Sequence, residues 1–348
     1  MSNSIKLILF FFLFQIVGSS QDVWNTKNNN MNNIRSLGFT PEFVVGVCDC
    51  GGIGTVVKTW SLSDGEADSL FRARIQEICI SNNGNYLAIR SFKDSIMLQT
   101  FFIEGKKWLW QYTGSHYNSI AFSEDDEYLI AINENAIEEF EVQSGDKNIL
   151  KTPLEDKLSD YIESKKRALR QKLSPDGKYM IIWNDKINYE WDISFLFLFS
   201  ASPNPNIAVW DILENKLISE IQKPLSKIVS VAFSPDGKKV FLGCEDEKIR
   251  VWSLLANKII KDFEGDPSYI DVSNRNNLLG IGGDHLRILN SLTFTLIKDF
   301  GKVGDKVGRL SEWSFSSDGK YFALEVEGIL YLYETNTWEV LWSIPTCP

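Results

Sequence analysis

Phe233-Ser234-Pro235-Asp236-Gly237-Lys238, with Ile228, Val229 and Val231 ahead of it and Val240 to Cys244 behind, sets a tight turn between two apolar runs. The phrase returns as Leu173-Ser174-Pro175-Asp176-Gly177-Lys178-Tyr179 and as Phe315-Ser316-Ser317-Asp318-Gly319-Lys320-Tyr321. Weaker copies stand at Ile80-Ser81-Asn82-Asn83-Gly84-Asn85-Tyr86 and Phe122-Ser123-Glu124-Asp125-Asp126-Glu127-Tyr128. Two worn ones stand at Phe39-Thr40-Pro41-Glu42 and Val272-Ser273-Asn274-Arg275. Counted between the Ser or Thr positions, the steps are 41, 42, 51, 60, 39 and 43 residues. An Asp-Gly pair between apolar runs is a hairpin signal, because glycine takes the positive φ that the turn demands.

Strand-rich repeats of about 40 to 45 residues are the sequence mark of propeller blades. Seven of them predict an all-β, seven-bladed β-propeller of four-stranded antiparallel blades, a single domain over 35–345. Unit five reads as strand a (Lys227 to Ser234), strand b (Val240 to Cys244), a Glu245-Asp246-Glu247 turn, strand c (Lys248 to Leu254) and strand d (Lys258 to Phe263). Continuous apolar runs in a and b fit strands covered on both faces, and the more polar d fits an outer strand. Ile259-Ile260-Lys261-Asp262-Phe263 returns as Leu296-Ile297-Lys298-Asp299-Phe300, and Trp108-Leu109-Trp110 matches Val340-Leu341-Trp342, so these are equivalent d strands. Their tryptophans are expected to pack blades together. The two long steps predict a short helical insertion at 152–170, where Leu154, Leu158, Tyr161, Ile162 and Leu169 fall near helical spacing. A hairpin insertion is expected at 193–206 within unit four.

The chain has 348 residues, a net charge of −10 and a pI near 4.9, which argues against a nucleic-acid backbone as ligand. The longest basic cluster, Lys165-Lys166-Arg167, follows Glu155, Asp156, Asp160 and Glu163 and reads as a mixed-charge solvated face. Residues 1–20 hold an apolar run, Leu7 to Gly18, before Ser19 and Ser20. They read as a signal peptide or as a gene-model artefact, and the run is too short for a stable membrane span. Residues 21–34 read as an Asn-rich linker. Five cysteines and the lack of any Asn-X-Ser/Thr acceptor weigh against secretion. Cys48 and Cys50 share one face of a strand and make poor disulfide partners, and one Cys-X-Cys is a weak metal signal.

Ile249-Arg250-Val251-Trp252-Ser253 and Ile207-Ala208-Val209-Trp210-Asp211 resemble the strand c signature of WD40 repeats, and Asp246 matches that family's turn aspartate. Trp191-Asp192 is a second literal Trp-Asp, with Trp60-Ser61 and Tyr333-Glu334 as fainter versions. The chain departs from the family in lacking its Gly-His dipeptide: the only histidines are His116 and His285, and neither follows a glycine. The resemblance implies a rigid platform for other proteins or peptides, whose usual docking face carries the d–a and b–c loops. Partner-binding residues expected on that face are Arg72 and Arg74, Tyr117, Asp266 and Tyr269, and Arg309. Tyr and Arg are the side chains most enriched at interface hot spots.

No catalytic, cofactor or metal residue is expected. Two histidines without a nucleophile phrase make Ser-His-Asp or Cys-His chemistry a poor fit, and the carboxylates sit mostly in turns. The function expected is therefore a non-catalytic scaffold that assembles a multiprotein complex. A secreted or surface recognition module is the alternative, with a hydrolase-type propeller enzyme behind it. The fold points to the cytoplasm, and a genuine signal in 1–20 would point to the secretory route.

Overall fold

A computed structural model describes residues 32–346 apart from 51–54, 73–74, 76, 82, 92–97, 115–116, 118, 124, 134–135, 152–168, 175–177, 185–206, 213, 215, 222–225, 274, 284 and 304–311. Seven four-stranded antiparallel sheets follow one another, each made of four strands consecutive in the chain. Blade one holds β1 (Asn32–Phe39), β2 (Phe43–Cys50), β3 (Thr55–Ser61) and β4 (Ala67–Arg72). Blade two holds β5 (Glu77–Ile80), β6 (Tyr86–Arg90), β7 (Leu98–Phe102) and β8 (Lys107–Tyr112). Blade three holds β9 (Ser119–Phe122), β10 (Tyr128–Ile132), β11 (Ile137–Glu141) and β12 (Lys147–Lys151). Blade four holds β13 (Leu169–Leu173), β14 (Tyr179–Asn184), β15 (Ile207–Asp211) and β16 (Lys216–Ile221). Blade five holds β17 (Ile228–Phe233), β18 (Lys239–Cys244), β19 (Lys248–Ser253) and β20 (Lys258–Glu264). Blade six holds β21 (Ile270–Val272), β22 (Leu278–Ile281), β23 (His285–Asn290) and β24 (Leu296–Lys302). Blade seven holds β25 (Trp313–Phe315), β26 (Tyr321–Val326), β27 (Ile329–Glu334) and β28 (Val340–Pro345).

All seven phrases fall on a–b turns. Most of the helix expected over 152–170, and all of the hairpin expected over 193–206, lie outside the described residues. The end of that helix is corrected: Leu169 and Arg170 open β13, where they pair with Asn184 and Trp183. Strand pairing satisfies their backbone groups in place of a helical turn.

The turn phrase works through short-range hydrogen bonds. In blade five the Ser234 hydroxyl donates to Asp236 Oδ1 at 2.6 Å and accepts the Lys239 N–H at 2.9 Å; Asp236 Oδ1 accepts the Lys238 N–H at 3.1 Å. Ser123 and Ser316 repeat the pattern with Asp125 and Asp318, and Ser81 does so with Asn83. Burial opposes ionisation of Asp236 and Asp318, yet the hydroxyl and N–H donors prevail and hold both carboxyls below the usual range. Gly237 and Gly319 sit at φ 62° and 73°, and blade three places Asp126 there instead, at φ 60°.

The core lies between blades. Seven apolar clusters fill the seven blade-to-blade interfaces, which is why strands b and c are apolar along their length. Between blades one and two, Val45, Val47 and Val57 meet Leu87, Phe101 and Ile103. Between seven and one, Ala323, Leu330 and Leu332 meet Ile34, Phe39, Val44, Cys48 and Trp60. The first strands of neighbouring blades approach one another around a central channel, and the outer d strands stay mostly exposed.

Among the described residues, a second contact joins six of the outer strands to the c–d turn of the next blade. These turns place one residue at positive φ: Gly65, Lys106, Gly145, Asn257, Phe294 and Trp338. Its size complements what the preceding blade offers. Trp110 covers Gly145 and donates its indole N–H to the Val142 carbonyl at 2.9 Å; Trp342 covers Gly65 and donates to Leu62 at 3.2 Å. Where the outer strand carries a smaller ring, the turn carries a ring too: Phe263 meets Phe294 at 5.5 Å and Phe300 meets Trp338 at 5.7 Å. Where it carries Ser219 or Asp68, the turn answers with Asn257 or Lys106. A left-handed non-glycine costs about 1–2 kcal/mol, so Phe294 and Trp338 hold that conformation against strain that aromatic packing offsets.

Gly145→Ala tests this seating. Its Cβ would lie 2.6 Å from the Trp110 ring at φ 75°, so the urea midpoint should fall by more than the equivalent of the about 1–2 kcal/mol that backbone strain alone costs. A fall confined to that strain would mean that Trp110 does not sit on the turn.

Candidate docking face and central channel

Antiparallel a-b-c-d order sends the d–a and b–c loops to one end of the ring and the a–b and c–d turns to the other. Arg72 ends β4 at the first face and is exposed. Arg74 and Arg309 lie outside the described residues. Tyr269 stands just before β21, keeps 37% of its surface open and packs edge-on against Trp313 with centroids 4.8 Å apart.

Tyr117 was expected as an exposed contact, and the structure corrects this: it is 3% exposed and packs with Phe140 and Tyr112 between blades two and three. Its hydroxyl donates to Glu138 Oε2, and its carbonyl accepts from Arg90 at 2.9 Å. Glu138 is itself buried and pairs with Lys147 at 2.8 Å, whose ammonium also donates to the Tyr112 hydroxyl at 3.0 Å. The driving cause is satisfaction of a buried carboxylate, which needs donors on every side. Asp266 is partly buried and works as a loop tie: its carboxylate accepts the N–H groups of Ser268 at 2.9 Å and Gly283 at 3.0 Å, linking the loop before β21 to the β22–β23 turn. Burial opposes its ionisation, but these donors hold its carboxyl below the usual range.

In blade five, Asp246 of the b–c turn grips Arg250 of β19 through two bonds, at 2.8 and 2.5 Å, which holds its carboxyl low. Trp252 donates its indole N–H to Ser219 of blade four at 2.9 Å.

The channel mouth on the d–a side holds a group that the turn-by-turn reading missed: Tyr269, Asp271 and Glu312, with Glu325 behind them. Asp271 Oδ1 accepts the Val272 N–H at 2.9 Å, and burial raises its carboxyl even though the charge of Lys172 pulls it down. Burial, reinforced by the negative charge of Glu325, pushes Glu312 up to about 8. Glu325 is 5% exposed and accepts the Gly328 N–H at 2.6 Å. Burial, then the charges of Asp271 and Glu312, drive the Tyr269 hydroxyl well above its ordinary value. The available signal was a lone acid inside an apolar run, as in Ile270-Asp271-Val272 and Phe322-Ala323-Leu324-Glu325-Val326. At the opposite end, a pocket of about 300 Å³ lies between β1, β5 and the Phe315 and Ser317 pair of blade seven. Among the described residues, no group of three or more His, Cys, Asp or Glu side chains is arranged to hold a metal ion, and no helix is long and apolar enough to cross a membrane.

Residues 215–253 match the family model described as WD domain, G-beta repeat. The matched unit covers β16 to β19, the outer strand of blade four and the inner three of blade five, so the sequence repeat is staggered by one strand against the blade. The matched unit is part of a ring of seven four-stranded blades, so the fold is a seven-bladed β-propeller that carries a WD40 repeat. No curated protein matches the sequence.

Two outcomes follow from these buried groups. Tyr117→Phe should destabilise the ring by about 1.5–3 kcal/mol, the range for a hydrogen bond to a charged group, and a double-mutant cycle with Glu138→Gln should return most of that as coupling. Additive effects would separate the pair. Glu312 holds a proton in the fold up to about pH 8 and releases it near 4.5 when unfolded, so its contribution to stability falls as pH rises through that window. Urea unfolding of Glu312→Gln should therefore gain on the parent between pH 5 and 8, and a constant difference would contradict the burial.

Proposed function

We propose that this chain is a non-catalytic scaffold, a ring that assembles a multiprotein complex through its d–a and b–c loops. The observation that carries this reading is the WD40-type ring itself: WD40 propellers commonly serve as interaction platforms, and buried blades anchor the ends of the loops, which limits the entropy lost on binding. Arg72 and Tyr269 are the described contacts we assign to the partner, and Arg74 and Arg309 join them by their place in the chain. A net charge of −10 favours partners that present positive surface. Free, buried thiols at Cys48 and Cys244 support a reducing compartment, and we place the protein in the cytoplasm.

Affinity capture from the native cell tests the reading. The triple variant Arg72→Ala, Arg74→Ala, Tyr269→Ala should lose at least one partner tenfold or more, while Glu42→Ala with Lys320→Ala, at the opposite end, should keep them all. Survival of every partner in the triple variant would move the docking face elsewhere.

A further inference from the structure

Six of the seven blade interfaces are spanned by the chain, because the loop after each d strand runs directly into strand a of the next blade. The interface between blades seven and one has no such connection. Both sheets are made of four consecutive strands, so no strand is shared across it either. Any other pair of blades is held by a covalent link as well, whereas among the described residues these two are held by packing and side-chain hydrogen bonds alone.

Those contacts are specific. Trp342 sits on Gly65 and donates to the Leu62 carbonyl at 3.2 Å, and Lys58 Nζ donates to the Thr346 carbonyl at 3.0 Å. The rest is the apolar cluster of Ile34, Phe39, Val44, Cys48 and Trp60 against Ala323, Leu330 and Leu332. At its inner end β1 meets β25, and the pocket of about 300 Å³ beside them is lined by β1, β5 and the Phe315 and Ser317 pair. Cys48 is wholly buried in this cluster. Burial in the closed ring, against the opposing pull of the Lys58 charge, pushes its thiol up to about 12 and keeps it unreactive.

We propose that the ring opens at the joint between blades seven and one, ahead of any other part of the fold, and that Cys48 is the thiol this opening uncovers. Opening there leaves each blade's own hydrogen-bonded sheet intact. Cys244 is the internal control: it is equally buried, but in the cluster between blades four and five, which the chain spans.

Timed alkylation of the full-length native protein with iodoacetamide, read site by site by peptide mass spectrometry, tests the proposal. Cys48 should react at least tenfold faster than Cys244. Trp342→Ala should speed Cys48 severalfold and leave Cys244 unchanged, and Lys58→Met, which spares the core, should act in the same direction. Equal rates at the two cysteines, or equal acceleration of both by either variant, would tie Cys48 to global unfolding and overturn the proposal.

Discussion

Every blade of this ring has two apolar faces, and neither can be covered except by another blade. That constraint organises the molecule: seven sheets bury fourteen faces only if the seventh meets the first. A fully buried large side chain contributes about 1.5–3 kcal/mol. Trp60, Phe140, Phe241, Phe322 and Trp313 are of this kind, and each depends on a neighbour blade for part of its cover. Closure here is a matter of one face seated on another, with no strand exchanged. The Trp342–Gly65 seat at the joint reproduces the Trp110–Gly145 seat between blades two and three, so the ring closes with the device it uses internally.

Within that frame, blade cohesion is improvised. Three different chemistries bind loop to strand. A tyrosine–carboxylate pair serves in blade three, a bidentate arginine–aspartate pair in blade five and an aspartate on backbone N–H groups in blade six. All satisfy the same requirement, that a polar group taken out of water near a loop end finds a partner. This explains how repeats that have lost their consensus still make regular blades.

The fold was legible in the sequence because its marker is local. Ser234, Asp236 and Gly237 make their bonds within six residues, so the phrase carries its own structure, and even Thr40 and Ser273 could be placed. Outer strands were legible through the Ile259-to-Phe263 and Leu296-to-Phe300 match. What depended on neighbours in space was not. Tyr117 looks like a loop aromatic until Glu138, 21 residues on, is seen to need its hydroxyl. Asp271 and Glu312 look like ordinary charges until blades six and seven bring them to one channel mouth. The closing joint lies beyond sequence reading altogether, because the residues that meet there are 288 positions apart, as Lys58 and Thr346 are.

Closure is most directly tested by paired spin labels on equivalent c–d turn positions: Ser63 with Asn336 across the joint, and Glu104 with Gln143 across an interface that the chain spans. Face-to-face closure predicts the same dominant distance for both pairs. A dominant distance at Ser63 and Asn336 that is longer and broader than at Glu104 and Gln143 would contradict a closed ring.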